Sequence, residues 1–185
     1  MNNHQLIIEP ILPLDTLRTM VTPSEWHQAQ EFTSLSRQRE WLSWRAHLRA
    51  QWRSDIEIAY TEQGAPYIVG SDTHISVSHT RTHIAIILSD TPCAIDMEQL
   101  SRNFAKVAKR YISGAESHII TTPLHQAIAW CTKEAAYKYA TRSCDFLSDI
   151  CIKRMSGGEI LVEIRGINIV AHYIVNEEFV VVYIK

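Results

Sequence analysis

Polar and apolar residues along this chain alternate with two different periods. Leu35, Trp41, Leu42, Trp44 and Leu48 recur at near-helical spacing, with arginines filling much of the remainder, so a helix is predicted from about Ser34 to Trp52. An earlier helix opens at Thr22-Pro23-Ser24-Glu25, because proline and acidic residues suit a first turn. Pro10, Pro13 and Pro23 forbid a long helix before that, leaving a short strand at Leu6-Ile7-Ile8-Glu9. Strand-like runs follow at 56–60, 67–69, 74–79, 84–88 and 91–98. Residues 101–121 read as helical with a break near Ser113-Gly114, and Pro123 starts a further helix to about Ser143. The tail returns to strands at 150–153, 159–163, 167–173 and 179–184.

These elements repeat. Ser54-Asp55-Ile56-Glu57-Ile58 recurs as Ser148-Asp149-Ile150-Cys151-Ile152 at an offset of 94, and the same offset sets Gly64 on Gly158 and Arg39-Glu40 on Lys133-Glu134. Offsets of 93 and 96 superpose the two later strands of each half. The expectation is an α+β protein of two similar lobes, each a helix plus a three-stranded antiparallel sheet, related by pseudo-two-fold symmetry. The lobes divide the chain at 1–90 and 91–185, with a ligand cleft between them. A duplicated single chain points to a monomer.

Composition narrows the class. With 46% hydrophobic and 21% charged residues, the 185-residue chain reads as an ordinary globular protein. A net charge of −2 gives no bulk attraction for nucleic acid. Cys93, Cys131, Cys144 and Cys151 show neither disulfide nor zinc spacing and read as reduced thiols. The start Met1-Asn2-Asn3-His4-Gln5-Leu6 lacks a signal-peptide layout, and no apolar run approaches the roughly 20 residues of a membrane span. A cytoplasmic protein without membrane partners is expected.

Two acidic clusters carry the candidate chemistry. On a strand, Asp96 and Glu98 point to one side. On a helix, Trp130, Glu134, Tyr137 and Lys138 share a stripe. Three carboxylates beside lysines suit a hard divalent cation with phosphate. The plainer reading is a solvated strand face and a surface Glu134–Lys138 pair worth a few tenths of a kcal/mol.

The order of these motifs resembles the 4′-phosphopantetheinyl transferase superfamily, in its duplicated surfactin-type branch. The family's G-[IV]-D-x-E is matched by Ala94-Ile95-Asp96-Met97-Glu98, and its W-x-x-K-E-x-x-x-K by Trp130-Cys131-Thr132-Lys133-Glu134-Ala135-Ala136-Tyr137-Lys138. Ser78-His79 matches a serine–histidine pair of the first lobe, and residues 110–116 loosely match a turn before a glutamate. The resemblance covers roughly residues 35–185 and implies the fold of that family. It also implies a holo-[acyl-carrier-protein] synthase-type enzyme. Such enzymes move the phosphopantetheine arm of coenzyme A onto a serine of an acyl or peptidyl carrier protein and release 3′,5′-ADP.

The implied roles are specific. Asp96, Glu98 and Glu134 match the ligands of Mg²⁺, with Mn²⁺ as the other metal. Lys138 matches the lysine on the phosphates, with Lys133 assisting. Glu134 is the implied base for the serine hydroxyl, and Glu116 is its competitor. Ser78 and His79 match the region of the nucleotide 3′-phosphate, and Arg39 and Arg45 the basic helix contacts, with Arg37 open as an alternative register. His172 aligns with His79 across the repeat and reads as structural, and the other histidines show no metal spacing. Ala65 stands where the family often has a lysine, and Ala94 where it has glycine. Those departures keep open a catalytically weak relative that binds CoA or a carrier protein without turnover.

Overall fold

The strand residues Ile84 to Leu88 are all buried, none more than 2% exposed, because both faces of that strand are covered. The computed structural model describes residues 4–141 and 143–185. Residues 1–3 of the expected leaderless start, and Arg142 in the expected end of the last helix, lie outside the described residues. The chain runs β1 (His4–Pro10), α1 (Leu14–Leu17), α2 (Pro23–Gln30), α3 (Leu35–Gln51), β2 (Ile58–Tyr60), β3 (Pro66–Ile68), β4 (His74–His79), β5 (His83–Ser89) and β6 (Ala94–Gln99). Two 3-10 turns, Phe104–Arg110 and Gly114–Glu116, lead to α4 (Pro123–Tyr139), and then come β7 (Ile150–Ser156), β8 (Glu159–Ile164), β9 (Ile167–Val175) and β10 (Phe179–Ile184).

The sheets are antiparallel, and the protein is a mixed α+β fold. One sheet has the order β1-β5-β4, with the β2-β3 hairpin packed beside β4. The other has the order β6-β10-β9-β8-β7. Five strands, β2 to β6, follow α3 and four, β7 to β10, follow α4; the sheets have three, two and five strands, where two sheets of three were expected.

Alternation explains the burial. Ile84, Ile86 and Leu88 of β5 pack with Trp44 and Leu48 of α3, whereas Ala85 and Ile87 pack with Ile95, Met97, Phe179 and Val181 of β6 and β10. The other face of β10, Val180, Val182 and Ile184, packs beneath α4 with Ala127, Ile128, Cys131 and Ala135. Small residues on α4 let the helix lie close to the strands. With Ile95 and Met97 committed to the core between the sheets, Asp96 and Glu98 must face α4.

Local chemistry sets the ends of the helices. Thr22 and Glu25 form a capping box around Pro23 at the start of α2. Ser34 and Thr122 cap α3 and α4. α4 stops at Tyr139, short of Ser143, and Thr141 adopts a left-handed backbone (φ 53°) that cannot continue a helix. Residues 101–121 form 3-10 turns instead of a regular helix. Glu116 bonds back to the amide and hydroxyl of Ser113 and is drawn into the core, which breaks the helical run. No helix among the described residues is long and apolar enough to cross a membrane.

Candidate active site

The site forms along a seam where β4 runs beside β6. No backbone ladder joins these strands; serine hydroxyls do. Ser76 Oγ accepts from the Ile95 amide at 3.1 Å, and Ser78 Oγ accepts from the Met97 amide at 3.1 Å while donating to Asp96 Oδ1 at 2.9 Å. The alternating serines of His74-Ile75-Ser76-Val77-Ser78-His79 thus join the two sheets. Ser76 was not foreseen as part of this region; its only sequence signal is its spacing of two from Ser78.

Asp96 is the centre. Its Oδ1 also accepts from Lys138 Nζ at 2.8 Å, and the same ammonium donates to the Ile95 carbonyl at 2.8 Å. Its Oδ2 is buried with no hydrogen-bond partner. An unpartnered buried carboxylate oxygen is costly unless something electropositive meets it. That vacancy in the hydrogen bonding fits a divalent cation held by hard oxygen ligands.

Glu98 lies two residues on. Its Oε1 accepts from Trp130 Nε1 at 3.0 Å and is paired with Arg102, whose guanidinium lies over the Trp130 ring at 4.6 Å. Burial pushes the Glu98 carboxyl above its ordinary range; the charges of Asp96 and Glu134 add to that, while Arg102 and Trp130 oppose it. The three expected carboxylates therefore share one electrostatic neighbourhood. Glu134 is half-buried on α4, one turn before Lys138. Among the described residues, no three histidine, cysteine, aspartate or glutamate side chains stand close enough together to hold a metal as they are. Arg102 was missed because it lies past the end of β6, where strand periodicity no longer says what faces what.

Two clefts follow each other along the seam. The smaller, of about 180 Å³, is lined by Thr61, Ala65, Ser76, Cys93, Lys138 and Thr141 among others. The larger, of about 450 Å³, is bordered by Glu40, His79, Arg81, Glu98 and Arg102. At its rim Arg37 Nη1 is 3.2 Å from His79 Nε2, and Glu40 Oε2 is 3.6 Å from His79 Nδ1. Of the basic residues expected on α3, Arg37 is the one at His79.

Four expected residues lie elsewhere. Arg45 is 1% exposed, with its guanidinium 3.3 Å from the Trp41 ring centre and 4.1 Å from that of Trp44. It donates to the Trp41 carbonyl and the Tyr60 hydroxyl, so it is a core residue and not a nucleotide contact. Arg39 donates to the carbonyls of Leu12 and Ile11 and ties down the segment after β1. Glu116 and Lys133 pair with each other at 2.7 Å with no solvent exposure. Lys133 also donates to the Phe146 and Ile150 carbonyls, and Glu116 accepts from the Ile152 amide. The extended C-terminal strands bury this pair away from the seam.

Residues 92–183 match the family model of the 4′-phosphopantetheinyl transferase superfamily, a span running from just before β6 through β10. It takes in Asp96, Glu98, Glu134 and Lys138 and stops short of Arg37 and His79. No curated protein matches the chain. The seam residues of β6 and α4 lie inside the matched segment, and through residues 92–183 this chain belongs to the 4′-phosphopantetheinyl transferase superfamily.

Proposed function

We propose that this protein transfers the 4′-phosphopantetheine group of coenzyme A to a serine of an acyl or peptidyl carrier protein and releases 3′,5′-ADP, with Mg²⁺ as its metal. The observation that carries the reading is Asp96: one oxygen is fixed by Ser78 and Lys138, and the other is buried with no partner. Asp96, Glu98 and Glu134 would hold the ion. When bound, it supplies charge neutralisation for the pyrophosphate.

The remaining roles fall to the chain itself. Lys138 fixes Asp96 and, at 20% side-chain exposure, still reaches the cleft to meet a phosphate oxygen. Glu134 accepts the serine proton as the serine oxygen bonds to phosphorus and the bond to the nucleotide half breaks, its electrons leaving on ADP. The alternative base, Glu116, is sealed in its pair with Lys133, and that supports Glu134. His79 and Arg37 take the nucleotide's terminal phosphate. The matching strand orders of the two sheets support two duplicated lobes, 1–90 and 91–185, acting as one monomer of the surfactin type.

The test is intact-mass measurement of apo carrier proteins after incubation with the protein, CoA and Mg²⁺. A gain of one phosphopantetheine that vanishes with EDTA is expected. No gain on any carrier, with CoA still bound, would favour a binding-only relative. Ala65 favours that second reading, since the smaller cleft lacks the lysine common in the family at this position.

A further inference from the structure

His79 and Glu40 line the larger cleft, and Arg37 joins them in a connected trio at its rim. Ser36 Oγ donates to Glu40 Oε1 at 2.9 Å and turns Oε2 toward the other two. Oε2 lies 3.6 Å from His79 Nδ1 and 3.9 Å from Arg37 Nη1, with the Glu40 side chain 14% exposed. Arg37 Nη1 is 3.2 Å from His79 Nε2. A guanidinium can only donate, so Nε2 must offer its lone pair. The ring is then neutral with its proton on Nδ1, on the side of Glu40. At 3.6 Å that contact is beyond hydrogen-bond range, but it is an ion-pair distance once the ring is charged.

A phosphate monoester arriving here changes the arrangement. It draws Arg37 to itself, because a charge-assisted bond to phosphate is stronger than one to a neutral imidazole. Nε2 is left with a bare lone pair facing phosphate oxygens; moving the neutral ring's proton to Nε2 would instead turn the Nδ1 lone pair on the Glu40 carboxylate, so the ring meets both anions by taking a second proton. Arg81 and Arg102 border the same cleft and disfavour a charged ring; Glu98 favours it but is itself paired with Arg102. That leaves Glu40 as the carboxylate placed to stabilise the imidazolium.

We propose that Glu40 is a positioning residue that makes capture of the nucleotide's terminal phosphate by Arg37 and His79 a proton-coupled step, with a proton taken from solvent onto His79 Nε2. This rests on the transferase reading. It goes further in giving the pair a protonation cycle and assigning Glu40 a function.

Calorimetry of CoA binding at about pH 7.5, in two buffers of different ionisation enthalpy, measures the protons taken up. Wild-type protein should take up roughly half to one proton with CoA and close to none with dephospho-CoA, which lacks the terminal phosphate. Proton exchange by the phosphate itself, with its second ionisation near pH ~6, would run in the opposite direction. Glu40→Gln should bind CoA roughly fivefold more weakly, the effect of one charge at this range, and its uptake should fall by at least half. CoA binding without uptake overturns the inference and leaves the transferase reading standing. Equal uptake with dephospho-CoA, or undiminished uptake in Glu40→Gln, also overturns it. A failure of CoA to bind at all overturns both. The comparison of the two nucleotides uses wild-type protein alone, so it stands even if the variant does not fold.

Discussion

Lys133 Nζ lies 2.7 Å from Glu116 Oε1, and neither side chain reaches solvent. Burial alone would push the Glu116 carboxyl up, but bonds from the Ile152 amide, Lys133 and Ser113 outweigh it and hold the group below its ordinary value. Removing one partner strands a buried charge, so Lys133→Met should cost about 3–5 kcal/mol in urea unfolding. Replacing both residues with apolar ones should recover most of that loss. A carboxyl titrating lower in the folded than in the unfolded chain stabilises above its unfolded value, and that contribution is lost as pH falls through the folded one. Acid should therefore destabilise wild-type protein below about pH 4.5, and the double variant should show less of this loss.

Arg45 gives a prediction about stability and not about binding. Burial pulls its guanidinium down to about 10, against the charge and hydrogen bond of Tyr60 and the charge of Glu25. The group stays charged at neutral pH and sits against two indole rings. Arg45→Lys loses the planar stacking and should lower the melting temperature by roughly 4–8 °C, as expected for about 2 kcal/mol in a chain of this size. CoA affinity of the folded variant should be unchanged. A large loss of affinity at unchanged stability would return Arg45 to the nucleotide site.

Glu98 should show a trade between stability and function. Burial raises its carboxyl, so the folded chain holds that proton more tightly than the unfolded one, and the charged form opposes folding. Glu98→Gln should raise the melting temperature at pH 7 by a few degrees. That gain should shrink as pH falls through the raised value, where wild-type Glu98 is itself protonated. Mg²⁺ should raise the melting temperature of wild-type protein in the presence of CoA, and the variant should lose that gain. Melting curves with and without Mg²⁺ at pH 5 and pH 7 measure both effects.

Ala65 lines the smaller cleft together with Lys138. A lysine there adds a second cation beside a phosphate-bearing ligand. Ala65→Lys should lower the KM for CoA several-fold with kcat little changed, the pattern of added binding shared equally by ground state and transition state. Steady-state transfer kinetics would show it. A fall in kcat would mean that the small residue is needed for the turn.

Much of the seam was legible from strand periodicity. The D-x-E spacing places Asp96 and Glu98 on one face, and the structure puts that face under α4. β10 spans Phe179–Ile184, the span predicted from its apolar run. The arginines of α3 were less legible. On a helix wheel Arg37, Arg39 and Arg45 look alike, yet one meets His79, one ties down a loop and one is buried between tryptophans. The partners that separate them come from α2, the segment after β1, β4 and the end of β2, at least 15 residues away in sequence. Glu116 misled for the same reason: its neighbours suggest a polar turn, while its contacts are Lys133 and Ile152.

The sequence by itself determined the order of most elements, the faces of the strands and the acidic and basic residue types gathered along the seam. Periodicity decides those because neighbours along a strand or helix are fixed by local geometry. Only the tertiary structure decided which charges face the cleft and which are sealed in the core. That choice depends on which segments cover a side chain, and the covering segments here lie 17 to 42 residues away, as Lys133 from Ile150, Arg37 from His79 and Lys138 from Asp96 show.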